Sequence, residues 1–168
     1  MFEKHEYVFH ESGGICQVAD IQKAPLDNMP ADREYYILQP LLDPNSMIYV
    51  PVDSDRIFVR RLLDRTEAET LLSKMASVEV IDEKNPKLLK TKYIEAMHMH
   101  DPIEWVRVIK TAEARIRLLA SRSQRLSETE RSIYEKAKRN LHGELCLSLN
   151  MEEREIEQLL ASYLEASV

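Results

Sequence analysis

The sequence predicts an α+β protein in which a small N-terminal β-barrel is followed by a C-terminal all-α helical bundle. Three observations predict this order. Short runs of β-forming residues, separated by turn formers, fill residues 1–62. Apolar residues at helical spacing, preceded by N-cap residues, fill residues 63–168. The chain is 44% hydrophobic and has only 3 glycines, which favours packed domains and excludes a glycine-rich phosphate loop.

The β-forming segments lie in the first third of the chain. Residues 6–10 and the segment after the Gly-Gly pair indicate two strands joined by a turn. The stretches 34–41 and 46–53 indicate two more, with "LDPN" as the turn between them. Because Pro40 and Pro51 lack a backbone N–H, we expect each at a sheet edge or a strand end. Four or five strands in about 60 residues predict an open barrel of the SH3 or Tudor type.

The helices are predicted from N-cap signals and apolar stripes. A capping box pairs a cap residue with an acidic residue three positions later, and together they satisfy free backbone N–H groups. Capping boxes, or a cap residue followed by proline, occur at Thr66 with Glu69, Asp101 with Pro102, Ser127 with Glu130, and Asn150 with Glu153. A further helix is expected from Pro86 to residue 99. These helices predict a compact bundle with short loops.

The charged residues are distributed unevenly along the chain. Residues 84–139 contain 14 Lys and Arg against 7 Asp and Glu, whereas the rest contains 9 against 22, for a net charge of −6. A basic stretch in an acidic chain indicates a localised anionic partner. The same residues are also compatible with an ordinary solvated helix surface, and composition leaves the two interpretations open.

Motifs for catalysis and metal binding are absent from the sequence. Ser12 lacks the spacing of a nucleophile elbow, and Cys16 has no histidine at a telling distance. His98 and His100 project about 200° apart on a helix and therefore cannot share a coordination sphere, while His142 is distant in sequence. We expect no enzymatic activity, no metal and no cofactor.

The compartment is inferred from cysteine usage and from hydropathy. The two cysteines lie in different halves of the chain, which indicates no disulfide framework and fits a reducing environment. No apolar run approaches the roughly 18 residues of a membrane span, and the N-terminus lacks signal-peptide features. We therefore expect a cytoplasmic, monomeric protein that does not contact membranes.

Several motifs follow one another in a characteristic order. The β part contains "YVFHESGGICQV", "YYILQP" and "VPVD", and the helical part contains "LSETE", "AK" and "GEL" between Leu126 and Leu145. In this order they resemble the CarD family of bacterial transcription regulators, whose β module also occurs in the transcription-repair coupling factor. The resemblance implies a regulator that binds the β subunit of RNA polymerase through its β module. It also implies that the helical domain contacts promoter DNA beside the upstream edge of the bubble and alters open-complex stability.

The resemblance further implies two sets of contact residues. We expect polymerase contacts from Lys23, Tyr36, Ile48, Tyr49, Val50 and Pro51. We expect DNA contacts from Lys87, Leu89, Lys90, Lys92, Arg122 and Arg125. Leu89 stands four residues before Tyr93, where family members carry a tryptophan, so it is the expected apolar wedge. Trp105, the only tryptophan, is instead expected to pack in the helical core.

A second function remains open at this point. The alternative is a protein-interaction module that binds polymerase or another protein without touching DNA. Salt dependence separates the two functions, because phosphate contacts weaken steeply as salt rises. Any DNA binding is expected to be weakly sequence-specific, since no helix-turn-helix or zinc-finger motif is present.

Overall fold

The computed structural model describes the backbone of residues 1–165. Two compact units divide the chain, Met1–Leu62 and Leu63–Val168. The first unit contains all the strands and the second contains all the helices of the described residues. The predicted α+β fold class is confirmed.

The first unit is an antiparallel five-stranded half-barrel. Its strands are β1 (Tyr7–His10), β2 (Gly14–Lys23), β3 (Glu34–Pro40), β4 (Ile48–Pro51) and β5 (Val59–Arg61). The strand order β4-β3-β2-β1-β5 leaves β4 and β5 as the edges of the sheet. β5 has only three residues, too few to show alternation in the sequence, and its pairing with β1 defines it.

The β1–β2 turn is organised by a buried histidine. His10 is only 4% exposed, and its Nδ1 accepts hydrogen bonds from the backbone N–H groups of Ser12 and Gly13, at 3.2 and 2.9 Å. Gly14 has a φ of 67°, a left-handed conformation that favours glycine. A Cβ on Gly13 would lie 2.5 Å from Ile48 Cδ1, so the turn and β4 approach closely.

The core of this unit contains two of the residues that are expected to contact the polymerase. In the register of β3 and β4, Tyr36 lies opposite Val50 and Leu38 opposite Ile48. Tyr36 and Val50 are 4% and 3% exposed and belong to the hydrophobic core. Their side chains therefore support β4 from inside and offer little surface to a partner, and the expectation that these two residues contact the polymerase stays a prediction.

The second unit consists of five helices and one 3-10 turn. The elements are α1 (Arg65–Lys74), the turn (Met75–Ser77), α2 (Pro86–His98), α3 (Pro102–Ala120), α4 (Glu128–Leu149) and α5 (Glu153–Glu165). Two predicted caps are confirmed, since the side chain of Asp101 accepts from Ile103 N and that of Ser127 from Glu130 N. Within the described residues, no helix combines the length and apolar character needed to cross a membrane.

Two other predicted caps are wrong. α1 begins two residues earlier than the "TEAE" box indicates, because Asp64 and Glu67 form the reciprocal capping box. Asn150 does not open α5 but closes α4, in a left-handed conformation with a φ of 53° that satisfies the end of the helix.

The largest buried side chains of the helical unit come from α2 and α3. Trp105 is 0% exposed and Tyr93 is 1% exposed. Burial of Trp105 confirms that this residue packs in the core. Val106, Ile109 and Ala112 continue the buried stripe of α3 at helical spacing.

Candidate macromolecule-binding surfaces

The edge of β4 is the clearest candidate for a docking surface in the first unit. β4 pairs with β3 on one side, and no strand of residues 1–165 covers its other side. Its sequence, Ile-Tyr-Val-Pro, contains no charge, whereas the opposite edge β5 contains two arginines in three residues. Charged residues discourage strand pairing at an edge, so β4 is the edge better suited to accept a partner strand.

The side chains of β4 present two different faces. Alternation places Tyr49, opposite Ile37 in the register, on the face that Ile48 and Val50 do not share. Tyr49 and Pro51 are half-buried, and Ile48 is half-buried against the core. Lys23 is exposed at the end of β2, two strands away from β4. Of the residues expected to contact the polymerase, four have side chains that solvent can reach: Lys23, Ile48, Tyr49 and Pro51.

A charged rim continues the surface beyond the end of β4. Arg33 Nε lies 2.9 Å from Asp53 Oδ1, and this hydrogen bond holds the pKa of the Asp53 carboxyl below its usual value. A shallow groove of about 560 Å³ is lined by Lys23, Asp32, Arg33, Glu34, Val52 and Asp53. The uncharged edge strand is thus bordered by polar groups, as is typical of protein interfaces.

The first turn of α2 differs in charge from the first turns of the other helices. Asn85 caps the helix by accepting from Lys87 N and Leu88 N, and Pro86 occupies the first position. α2 has no acidic residue in this turn, whereas α1, α3, α4 and α5 each have at least one. Lysines at the positive end of a helix dipole are unfavourable for stability but suit an anionic ligand. We call Lys87, Leu88 and Lys90, all exposed, the basic turn of α2.

The exposed leucine of this turn is Leu88 and not Leu89. Leu89 is 2% exposed, whereas Leu88 is 53% exposed. The expectation that Leu89 is an exposed wedge is therefore wrong. The sequence does contain a signal for this, because Leu89, Tyr93 and Met97 are spaced four residues apart and form a buried stripe.

Several basic residues of the 84–139 stretch have structural partners. Lys92 Nζ lies 3.2 Å from Glu83 Oε2. Arg115 Nε lies 2.5 Å from Glu130 Oε1. Lys110 Nζ donates to three backbone carbonyls at the end of the 3-10 turn, and desolvation lowers the pKa of its ammonium group. These charges stabilise the fold. The net charge of the stretch therefore overstates the positive charge that a ligand could contact.

Arg122 and Arg125 lie in the connection between α3 and α4. Both side chains are exposed, and neither forms an ion pair with a described residue. They remain available to an anionic ligand, as do Lys87 and Lys90.

Comparison with known proteins assigns both units. Residues 2–63 match the CarD-like/TRCF RID domain, and residues 75–161 match the C-terminal domain of CarD. No individual curated protein gives a significant match.

A β module with an uncovered edge strand, followed by a helical domain with an exposed basic turn, is typical of proteins that bind other macromolecules. The two domain matches make the assignment specific, because they occur in the family's order and cover most of the chain. The chain belongs to the CarD family. It is a non-enzymatic transcription regulator, and its N-terminal domain is an RNA polymerase-interacting domain.

Proposed function

We propose that the chain docks on the β subunit of RNA polymerase through the edge of β4, contacts promoter DNA through the basic turn of α2, and thereby alters open-complex stability. The observation that carries the proposal is the uncovered, uncharged edge of β4 in a domain of the polymerase-interacting type. Neither contact requires catalysis, because both change only the relative stability of promoter complexes.

Docking at β4 follows from the chemistry of an open sheet edge. A partner strand forms main-chain hydrogen bonds with the edge, and the alternating side chains set specificity. Tyr49 supplies a large amphipathic side chain of the kind enriched in interfaces. Pro51 limits the pairing to a short segment because it has no N–H to donate.

The DNA contact follows from the composition of the basic turn. Lys87 and Lys90 provide two positive charges near the positive end of the helix dipole, which suits backbone phosphates. Leu88 lies between them and is the exposed apolar side chain available to unstack a minor-groove step. Leucine offers less surface than tryptophan, so we expect a weaker wedge. The two lysines contact phosphates and read no base, so binding is expected to tolerate sequence changes.

Two matched tyrosine variants test the docking step. Tyr49→Asp places a charge on β4, and we expect at least tenfold weaker binding to RNA polymerase core enzyme, or about 1.4 kcal/mol. Tyr7→Asp is the control, because Tyr7 is 37% exposed on the internal strand β1 of the same unit. We expect it to retain binding. Equal binding of both folded variants, or equal loss, would contradict docking through β4.

The DNA contact is tested separately on polymerase-bound promoter complexes. If the chain is a protein-interaction module alone, variants of the basic turn will leave promoter affinity and its salt dependence unchanged. That outcome would leave docking through β4 intact.

A further inference from the structure

The seam between α4 and α5 brings together a histidine and two glutamates that are distant in sequence. His142 lies on α4, and Glu153 and Glu157 lie one turn apart on α5. Their ligand atoms, one from each residue, all lie within 4.8 Å of one another. His142 is half-buried and the two glutamates are exposed. The imidazole therefore forms the inner side of the cluster and the carboxylates form its solvent side.

Among the described residues, the side chains of these three residues form no hydrogen bond or ion pair. The ammonium group of Lys138, one turn before His142 on α4, is close enough to act electrostatically on the imidazole. Glu153 and Glu157 carry like charges four residues apart on one helix, which is an unfavourable arrangement without a cation. The cluster joins two helices through a half-buried imidazole, which distinguishes it from a solvated acidic surface.

The donor set indicates the class of ligand. Calcium and magnesium prefer oxygen ligands alone, whereas zinc and other first-row transition ions accept imidazole together with carboxylates. In a tetrahedral site with ligand atoms at about 2.1 Å from zinc, two ligand atoms lie about 3.4 Å apart. The widest separation in the cluster, up to 4.8 Å, therefore has to close by roughly 1.4 Å, which rotation of the exposed glutamate side chains supplies.

We propose that His142, Glu153 and Glu157 bind one divalent zinc ion, which links α5 to α4. Three protein ligands leave a further position for water. Cys146 lies one turn after His142 on α4, and the carboxylate of Glu153 adds to burial in raising the pKa of its thiol. A thiol is thus close to the same seam.

The expected consequence is a more stable C-terminal helix. α5 is held to the unit by a narrow apolar stripe in which Ile156 and Leu160 are 0% and 4% exposed. A zinc ion bridging the solvent side of the α4–α5 seam adds a second link and removes the repulsion between the two glutamates. Any ligand that binds the folded state alone raises stability by mass action.

Calorimetric titration of the full chain with zinc chloride, after removal of metals, tests the site. We expect one saturable zinc ion per chain and at least tenfold weaker binding in His142→Gln and in Glu157→Gln. His98→Gln and Glu95→Gln are matched controls, because both residues are exposed on α2, and we expect them to bind zinc like the wild type. Absence of saturable binding, equal binding by His142→Gln, or loss of binding in His98→Gln would overturn the proposal.

Thermal unfolding shows whether a variant fails to bind zinc because it lacks a coordinating side chain or because it is misfolded. Without zinc, Glu157→Gln should melt at the wild-type temperature or above it, because the substitution removes a like-charge pair. Addition of zinc should raise the melting temperature of the wild type and should not raise that of Glu157→Gln. The same zinc-dependent rise in both proteins would contradict the site.

Discussion

Arg115 Nε donates to Glu130 Oε1 at 2.5 Å and thereby joins α3 to the first turn of α4. The hydroxyl of Tyr93, from α2, lies 3.5 Å from the same carboxylate oxygen. Burial, together with the charge of Glu130, raises the pKa of Tyr93, so its hydroxyl stays protonated and remains a donor. One carboxylate thus connects three helices, and the charge of Arg115 belongs to the fold.

Removal of this carboxylate should destabilise the helical unit. Arg115 and Glu130 side chains are only 27% and 11% exposed, so Glu130→Ala leaves a partly desolvated cation without its partner. We expect a loss of about 2 kcal/mol in the free energy of unfolding, measured by denaturant titration with circular dichroism.

The control for this variant is Glu128→Ala. Glu128 pairs with Arg131 on the surface, where the side chains are 82% and 56% exposed. Exposed pairs contribute little, so the expected loss is less than about 1 kcal/mol, including the effect on the helix dipole. Equal losses in the two variants would mean that the three-helix junction is not a specific stabilising element.

The adjacent leucines of α2 should separate stability from function. Leu89→Ala should lower the free energy of unfolding by about 2 to 5 kcal/mol, because Leu89 is 2% exposed. Leu88→Ala should change it by less than about 0.5 kcal/mol, because Leu88 is 53% exposed. On promoters, Leu88→Ala should shorten the open-complex lifetime in a challenge assay. A lifetime equal to that of the wild type would remove Leu88 from the DNA contact.

The lysines of the basic turn should determine the salt dependence of promoter binding. Each phosphate contact contributes about 0.9 to the slope of log affinity against log salt. The double variant Lys87→Gln and Lys90→Gln should therefore flatten the slope by about 2 if both contact phosphates. Lys136→Gln with Arg139→Gln, on exposed positions of α4, removes the same charge and should leave the slope unchanged. A wild-type slope in the Lys87→Gln and Lys90→Gln variant would favour the protein-interaction function.

The fold class could be predicted because its determinants are local. Strand alternation, turn residues and the caps at Asp101 and Ser127 all act within a few residues, and the structure shows them where the sequence indicates. The wrong caps have a local cause too. Asp64 and Thr66 are both good N-cap residues and lie two positions apart, whereas asparagine suits both an N-cap and the left-handed end of a helix, so residue type alone decides neither case.

The surfaces were harder to predict because exposure depends on packing between elements. Leu88 and Leu89 are chemically identical neighbours, and the four-residue spacing of Leu89 with Tyr93 and Met97 is a weak signal for which of the two is buried. Arg115 belongs to the fold because Glu130, 15 residues away, meets it across two helices. His142 and Glu157 are likewise brought together by the α4–α5 hairpin, which no sequence spacing reveals.

His10 should make the β module sensitive to mild acid. Its Nδ1 accepts hydrogen bonds from Ser12 N and Gly13 N, so this nitrogen carries no proton in the folded state. Burial lowers the pKa of the imidazole, and the charge of Glu11 opposes this only in part. Protonation would place a third donor against the two N–H groups of the turn and would put a charge at a site that is 4% exposed.

The sign of the pH effect follows from the lowered pKa. A histidine that is harder to protonate when folded binds more protons in the unfolded state, so stability falls as pH drops below the unfolded pKa of about 6.5. As pH drops further, stability continues to fall until the pH reaches the lower pKa of the folded state, and below that pH the loss is constant. We expect the urea midpoint of the β-strand amide signals, followed by NMR, to fall between about pH 7.5 and 5. His10→Asn keeps an acceptor that does not titrate and should flatten this dependence, whereas His98→Gln, at an exposed position on α2, should not. A pH dependence that persists unchanged in a folded His10→Asn variant would assign it to another group.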